Sequence, residues 1–344
     1  MELYTPDYYR RFRCIAAACP DSCCKEWEVD VDEESAAMYR NLPGSLGDAL
    51  RTCLRDTEDG TCMTITEGRC PMWRQDGLCR IQAELGHDAL CHTCREFPRL
   101  RHDYGDFVEL GLEMSCPEAA RLIFADRTLH TSGQFVLEEG APDYDKEAMS
   151  VLLHSRGLLL ALLEENTYSL PEALAIMLLY AYSVQNQLDG GDEAILDPET
   201  CLAEARRYAA EGDLEGIVDY FSGLEILTAD WQRRLADGPR CCNWNEALRP
   251  LLFYGIYRYW LQAVSDYDLM CRVKLIIVSC ILVNALGGDP VQTAQQFSKE
   301  IENDPDNLDS ILDAAYTAQP FTDKNLLSLL LTPQSECRQH KAEK

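Results

Sequence analysis

Eleven of the chain's 17 cysteines fall between Cys14 and Cys116. They come in short groups: Cys14-x4-Cys19-x3-Cys23-Cys24, Cys70-x8-Cys79, Cys91-x2-Cys94 and then Cys116, with Cys53 and Cys62 between the groups. Thiols at such spacings serve two chemistries, disulfide formation and ligation of a soft metal. Residues 1–19 carry aromatics and three arginines but no continuous apolar run, so they do not read as a secretory leader. The expected location is the cytoplasm, where thiols stay reduced, and an odd cysteine total suits a fully paired framework poorly. The cluster therefore reads as metal-binding. Zinc takes four ligands in a tetrahedron, and an iron–sulfur cluster also takes four thiolates. The grouped thiols exceed one such site, which leaves either two sites or one site with further cysteines behind it. At least four sulfurs should converge, with Cys23 or Cys24, Cys79 and Cys94 among the candidates. Cys53 and Cys62 read as small apolar residues, as do the six cysteines after Cys116.

Other chemistry is sparse. The chain has no Walker loop, no Gly-x-Gly-x-x-Gly, no Gly-x-Ser-x-Gly and no His-Glu-x-x-His. Val136 to Gly140 faintly resembles a nucleotide-binding glycine loop, but Ala141-Pro142-Asp143 lacks the glycines that would follow. The formal net charge is -27, from 31 basic and 58 acidic residues. Such a surface repels nucleic acid and anionic lipid and attracts basic partners, such as a lysine-bearing protein. The longest apolar run, Leu275 to Leu286, is about twelve residues, which suits a core helix and not membrane insertion.

The elements that must position the thiols are short. Asp32 caps a helix over Glu33 to Tyr39, and a second helix is expected over Leu46 to Arg55. Cys62 to Thr66 and Phe107 to Met114 read as strands, and Gln82 to Gly86 as a helical turn. A helix starts after Cys116, with Pro117 in its first turn. Tyr4, Tyr8, Tyr9 and Phe12 are expected to pack the start of the chain onto this module. After Phe124 the texture changes. Gly133, Gly140, Pro142 and Asp143 mark a turn-rich linker, and from Lys146 the periodicity is helical. Ser169 with Glu172 forms a capping box, and Asp197-Pro198, Asp289-Pro290 and Asp304-Pro305 each read as a cap followed by a first-turn proline. The expected fold is mainly α: an N-terminal cysteine-rich metal module with short helices and little strand, then an all-α helical domain. The boundaries are 1–125 for the module, 126–145 for the linker, 146–332 for the helical domain and 333–344 for a polar tail. No sheet of more than three strands is expected.

Several segments resemble one known family. Phe12-Arg13-Cys14 with Cys19-x3-Cys23-Cys24 and Trp27 is similar to the opening motif of the flagellin lysine-N-methylases. So are Cys70-Pro71, Gly77 to Gln82, Leu90 to Arg99 and Ser115 to Arg121, over roughly residues 4 to 124. A broader group of zinc- or iron-chelating cysteine-cluster proteins shares the Cys-Cys, Cys-x-Ile and Cys-Arg-x-Phe elements. The resemblance implies methylation of lysine ε-amines on flagellin, with S-adenosylmethionine as donor and an iron–sulfur cluster of the 4Fe–4S type, zinc being the alternative metal. It also implies that Cys14, Cys19, Cys23, Cys24, Cys70, Cys79, Cys91, Cys94 and Cys116 are the candidate metal ligands. The chain lacks both the Cys-x3-Cys-x2-Cys of radical methyl-donor enzymes and the glycine loop of ordinary methyltransferases. Two functions follow: a cytoplasmic protein-lysine methyltransferase, or a non-enzymatic, metal-stabilised platform that binds another protein.

Overall fold

The computed structural model describes residues 2–332 apart from 59, 127–128, 136–139, 209, 211 and 240–242. Most of the Val136–Gly140 stretch, Cys241, Cys242, Cys337 and the expected tail lie outside the described residues. The fold is mainly α. Among the described residues seven short strands run in chain order as β1 Glu2–Pro6, β2 Val29–Val31, β3 Leu54–Asp56, β4 Thr61–Met63, β5 Arg99–Asp103, β6 Phe107–Leu112 and β7 Thr131–Phe135. The first six helices are α1 Asp7–Arg11, α2 Glu33–Asn41, α3 Gly44–Cys53, α4 Arg80–Leu85, α5 His92–Glu96 and α6 Pro117–Ala125. The long helices follow: α7 Lys146–Glu164, α8 Leu170–Leu188, α9 Pro198–Ala205, α10 Leu214–Ser222, α11 Ala229–Asp237 and α12 Arg249–Tyr259. The last four are α13 Leu269–Leu286, α14 Pro290–Phe297, α15 Pro305–Thr317 and α16 Asp323–Leu331.

Local capping chemistry sets most helix starts. Asp32, Asp197, Asp289 and Asp304 each accept a backbone N–H from the first turn of α2, α9, α14 and α15. Ser169 and Glu172 complete the capping box of α8. Helix α13 is long and apolar enough to cross a bilayer, with a mean hydropathy of 2.1, yet it is wholly buried as the central core helix.

The sheets correct the expectation of little strand. One sheet has four strands in the order β5-β6-β1-β7, more than the three expected at most. The N-terminal aromatics lie on or just after β1, which pairs in parallel with β6 and antiparallel with β7. Strand β7 falls within residues 126–145, read from sequence as linker. A smaller sheet has the order β2-β4-β3.

Two hydrophobic cores result. The smaller joins Val29, Tyr39, Leu50, Met63, Met72, Ile81 and Cys91. The larger joins Tyr8, Phe12, Phe107, Leu112 and Met114 to the apolar faces of the long helices, including Leu152, Trp260 and Phe297. The start of the chain and β6 to α6 thus share one core with the helical half. Arg156 of α7 reinforces that junction by pairing with the buried Glu109 of β6 through contacts of 3.0 and 2.5 Å.

Candidate metal centre

Turns and helix starts carry the nine candidate thiols. A tight turn over Ala16–Ala18 separates Cys14 from Cys19. Gly77, at φ +81°, packs so closely on Ala17 that a Cβ would come within 3.3 Å of its Cα. A glycine is required there, and it holds the 70–79 loop against the first cysteine loop. Cys70 N donates to Cys24 O at 2.8 Å, and a backbone bridge joins Trp73 to Cys79. Cys79, Cys91 and Cys116 are the residues that cap α4, α5 and α6. Asp32 ties two of the short helices together: its Oδ1 accepts from Ser35 N at 2.9 Å in α2, and its Oδ2 accepts from His92 N at 2.8 Å in α5. The His92 N–H is the main reason its carboxyl is pulled down to about 2.

All nine thiols are free; Cys14, Cys23 and Cys94 are exposed, Cys70 and Cys91 buried, and the other four half-buried. The interactions among them run between pairs and neighbours, and the expected convergence of four sulfurs on one point is not seen among the described residues. Cys23 and Cys24 share a hydrogen bond that holds Cys24 toward thiolate and keeps the proton on Cys23. Cys91 and Cys94 interact in the same way, which lowers Cys91 and raises Cys94. Cys94 also feels the charges of Cys23 and Cys24, and Cys79 those of Cys24 and Cys91. Cys116 feels Cys19 and Cys14; burial pushes its thiol up to about 11, against the backbone N–H groups of Ala119 and Glu118. Burial raises Cys70 to about 12, and its Sγ lies 3.2 Å from Met63 Sδ. Thiols act as metal ligands once they lose their protons. Among the described residues no three donors are already arranged to hold one metal ion. Cys53, Cys62 and Cys280 are buried.

The sequence reading missed what lies beside the thiols. After Phe297 the chain continues as a π-helical turn, Ser298–Glu302, a rare geometry that occurs mostly as single turns within helices and frequently at functional sites. This turn buries the Lys299 side chain to 2% exposure and places its Nζ 3.0 Å from Asp21 Oδ2 and 2.7 Å from Glu26 Oε2. The ammonium also sits 5.1 Å from the centroid of the Trp27 ring. Gln295 Nε2 bridges Asp21 Oδ2, at 3.1 Å, and Ser115 O, at 2.7 Å. Next to these residues is a cleft of about 450 Å³ whose walls include Pro20 and Pro117, the residues after Cys19 and Cys116. Asp21, Glu26, Asp230, Asp289 and Glu300 also line it. Its chemistry suits a cation with an aliphatic stem. A more open hollow of about 600 Å³, by Asp106, Tyr144, Lys146 and His154, contains none of the candidate thiols.

No family model matches the chain, and no solved structure matches it. Three curated proteins do. The chain is 34% identical over 131 residues to proteins named lysine-N-methylase from Salmonella typhimurium and Salmonella choleraesuis, covering 35% of this chain and 32% of each of them. The chain thus spans about a third of the length of these two relatives. It is equally similar, at 34% over 131 residues, to the flagellar biosynthetic protein FliU of Salmonella muenchen, of which 76% is covered. On that coverage and on its cysteine segments, the chain belongs to the flagellin lysine-N-methylase family.

Proposed function

We propose that this protein transfers methyl groups from S-adenosylmethionine to lysine ε-amines of flagellin, in the cytoplasm, with an iron–sulfur cluster held by thiols of the Cys14–Cys116 region. The observation that carries the reading is the match to proteins named lysine-N-methylase and to one named for flagellar biosynthesis. The acidic cleft at Pro20 and Pro117 supports it, because it offers a lysine side chain a path to the thiol loops.

A lysine ammonium is drawn to the cleft by its carboxylates and must lose a proton before it can attack a methyl sulfonium. Glu300 is the carboxyl suited to accept that proton. Burial raises it above the ordinary range, opposed by the hydrogen bonds it accepts from Leu227 and Thr228. The pairing of Lys299 with Asp21 and Glu26 fixes the wall nearest the thiols. A cluster, when bound, supplies thiolate-held iron to which the donor's amino and carboxylate groups can attach.

The test is anaerobic reconstitution with iron and sulfide, followed by incubation with methyl-labelled donor and purified flagellin. Label should appear as ε-N-methyllysine in flagellin peptides. A reconstituted protein that binds neither donor nor flagellin, and transfers no label, would overturn the reading.

A further inference from the structure

We infer that the outer face of α7 is a homodimer interface, on which a second copy of this chain packs its own α7 in antiparallel orientation. The inference is independent of the thiols and of methyl transfer.

Helix α7 turns one side inward, where Ala148, Met149, Leu152, Leu159 and Leu163 join the large core. Its other side faces solvent. There the exposed positions from residue 150 to residue 161 are Ser150, Leu153, His154, Gly157, Leu158 and Ala161. They recur every three or four residues, so they form one continuous strip about 18 Å long. The strip holds no Asp, Glu, Lys or Arg, although 26% of the chain is charged. Leu153 and Leu158 are 41% and 38% exposed on it. A contiguous apolar strip of this kind marks an interaction surface.

The partner that the strip fits is its own copy, because a two-fold interface must be self-complementary. Take two antiparallel α7 helices whose symmetry axis passes between Ser155 and Arg156. Leu153 then lies opposite Leu158 of the second copy, and Ser150 opposite its Ala161. The bulk of His154 enters the gap left by the second copy's Gly157, where an added Cβ would meet nothing of its own chain within 4 Å. At the ends, Lys146 meets Glu165, an opposite-charge pair made twice. Glu147 and Glu164 meet with like charge, but both are exposed, so water and salt screen them.

The hollow of about 600 Å³ points to the same orientation. The α7 residues in its walls, Lys146, Met149, Ser150, Leu153 and His154, all belong to the first half of the helix. An antiparallel copy lays the second half of its α7, with Leu158 and Ala161, over that half, and the two hollows of the pair are covered together. A basic protein, the other occupant suited to an acidic chain, finds no carboxylate on the strip to bind.

Sedimentation equilibrium of the full chain should show a reversible dimer of twice the 38.9 kDa chain mass. The dimer should tighten as salt rises, because two copies of net charge -27 repel each other while the strip itself is uncharged. Gly157→Leu fills the gap that the second copy's His154 enters and should weaken the dimer about a hundredfold. The monomer should not suffer, since the site is open and leucine is the better helix former. Lys146→Glu should weaken the dimer about tenfold, and adding Glu165→Lys to the same chain should restore it. That recovery is specific to an antiparallel second copy. A chain that stays monomeric at every concentration, or a dimer that Gly157→Leu leaves intact, would overturn the proposal. Loss of flagellin binding by Gly157→Leu in a chain that never dimerises would assign the face to flagellin and overturn it equally.

Discussion

Lys299 Nζ and Asp21 Oδ2 stand 3.0 Å apart although 278 positions separate the two residues in the chain. The contact fastens the loop of Cys19, Cys23 and Cys24 to the π-helical turn of the helical half. Glu26 and the Trp27 ring complete the enclosure, and Trp27 in turn packs on Phe97, 5.8 Å between centroids, three residues after Cys94.

Lys299→Met should therefore act on the cysteine loops at a distance. It strands two partly buried carboxylates beside a buried apolar group, which should cost about 2 kcal/mol. Lys299→Arg should recover part of the loss, and Asp21→Asn should be milder because Glu26 remains paired. Urea midpoints of the three variants, read with their metal content, check this; equal midpoints for Lys299→Met and the parent would refute it.

Replacing Cys94 by Ser exchanges a soft thiolate for a poor ligand. On the proposed function, the variant should lose metal and, with it, methyl transfer to flagellin. Any drop in melting temperature should be confined to the segment around the small core, residues 29–96, because β1, α1 and α6 are built into the large core with the long helices. Hydrogen exchange by peptide will show whether residues 2–12 stay protected when 29–96 open.

Asp32→Ala removes an acceptor shared by two helix starts. The loss of a cap typically costs about 1 kcal/mol. Here amide exchange should accelerate at both Ser35 and His92. In the parent chain the Asp32 carboxyl is depressed to about 2, so its contribution is complete above the ordinary value of 3.8 and is lost as pH falls through that interval. Amide exchange at His92 that matches the parent would refute the bridge.

His102, on β5, also loses stability as pH falls, but at higher pH and because burial disfavours its charged form. Burial, with Arg258 and Arg156 nearby, lowers it from 6.5 to about 4. Between those values the unfolded chain holds a proton that the folded chain does not, so stability should fall by about 2 kcal/mol as pH drops from 7 to 4.5. His102→Asn should flatten that slope. Unfolding midpoints at pH 7 and 5 for parent and variant are the measurement.

The parts of this molecule legible in sequence are those written locally. Asp32, Ser169, Asp197, Asp289 and Asp304 declare their helices because a cap is decided within four residues. The thiol groups are equally local, being set by spacings of a few residues. The four-stranded sheet was not legible, since residue 2 finds its partner at residue 107 and no short pattern records such a pairing. Lys299 gave no sign either: in sequence it is one lysine in a polar helical stretch, and only the fold turns it toward Asp21.

The distance between Asp21 and Lys299 along the chain also sets an order in time. During synthesis the N-terminal parts of a chain emerge and begin to fold first. All nine candidate thiols leave the ribosome long before Lys299 does, with no clasp yet available for the loop that holds Cys19, Cys23 and Cys24. In that interval the loop has no partner at its acidic side chains. Once the π-helical turn arrives, Lys299 ties the same loop to the far end of the polypeptide.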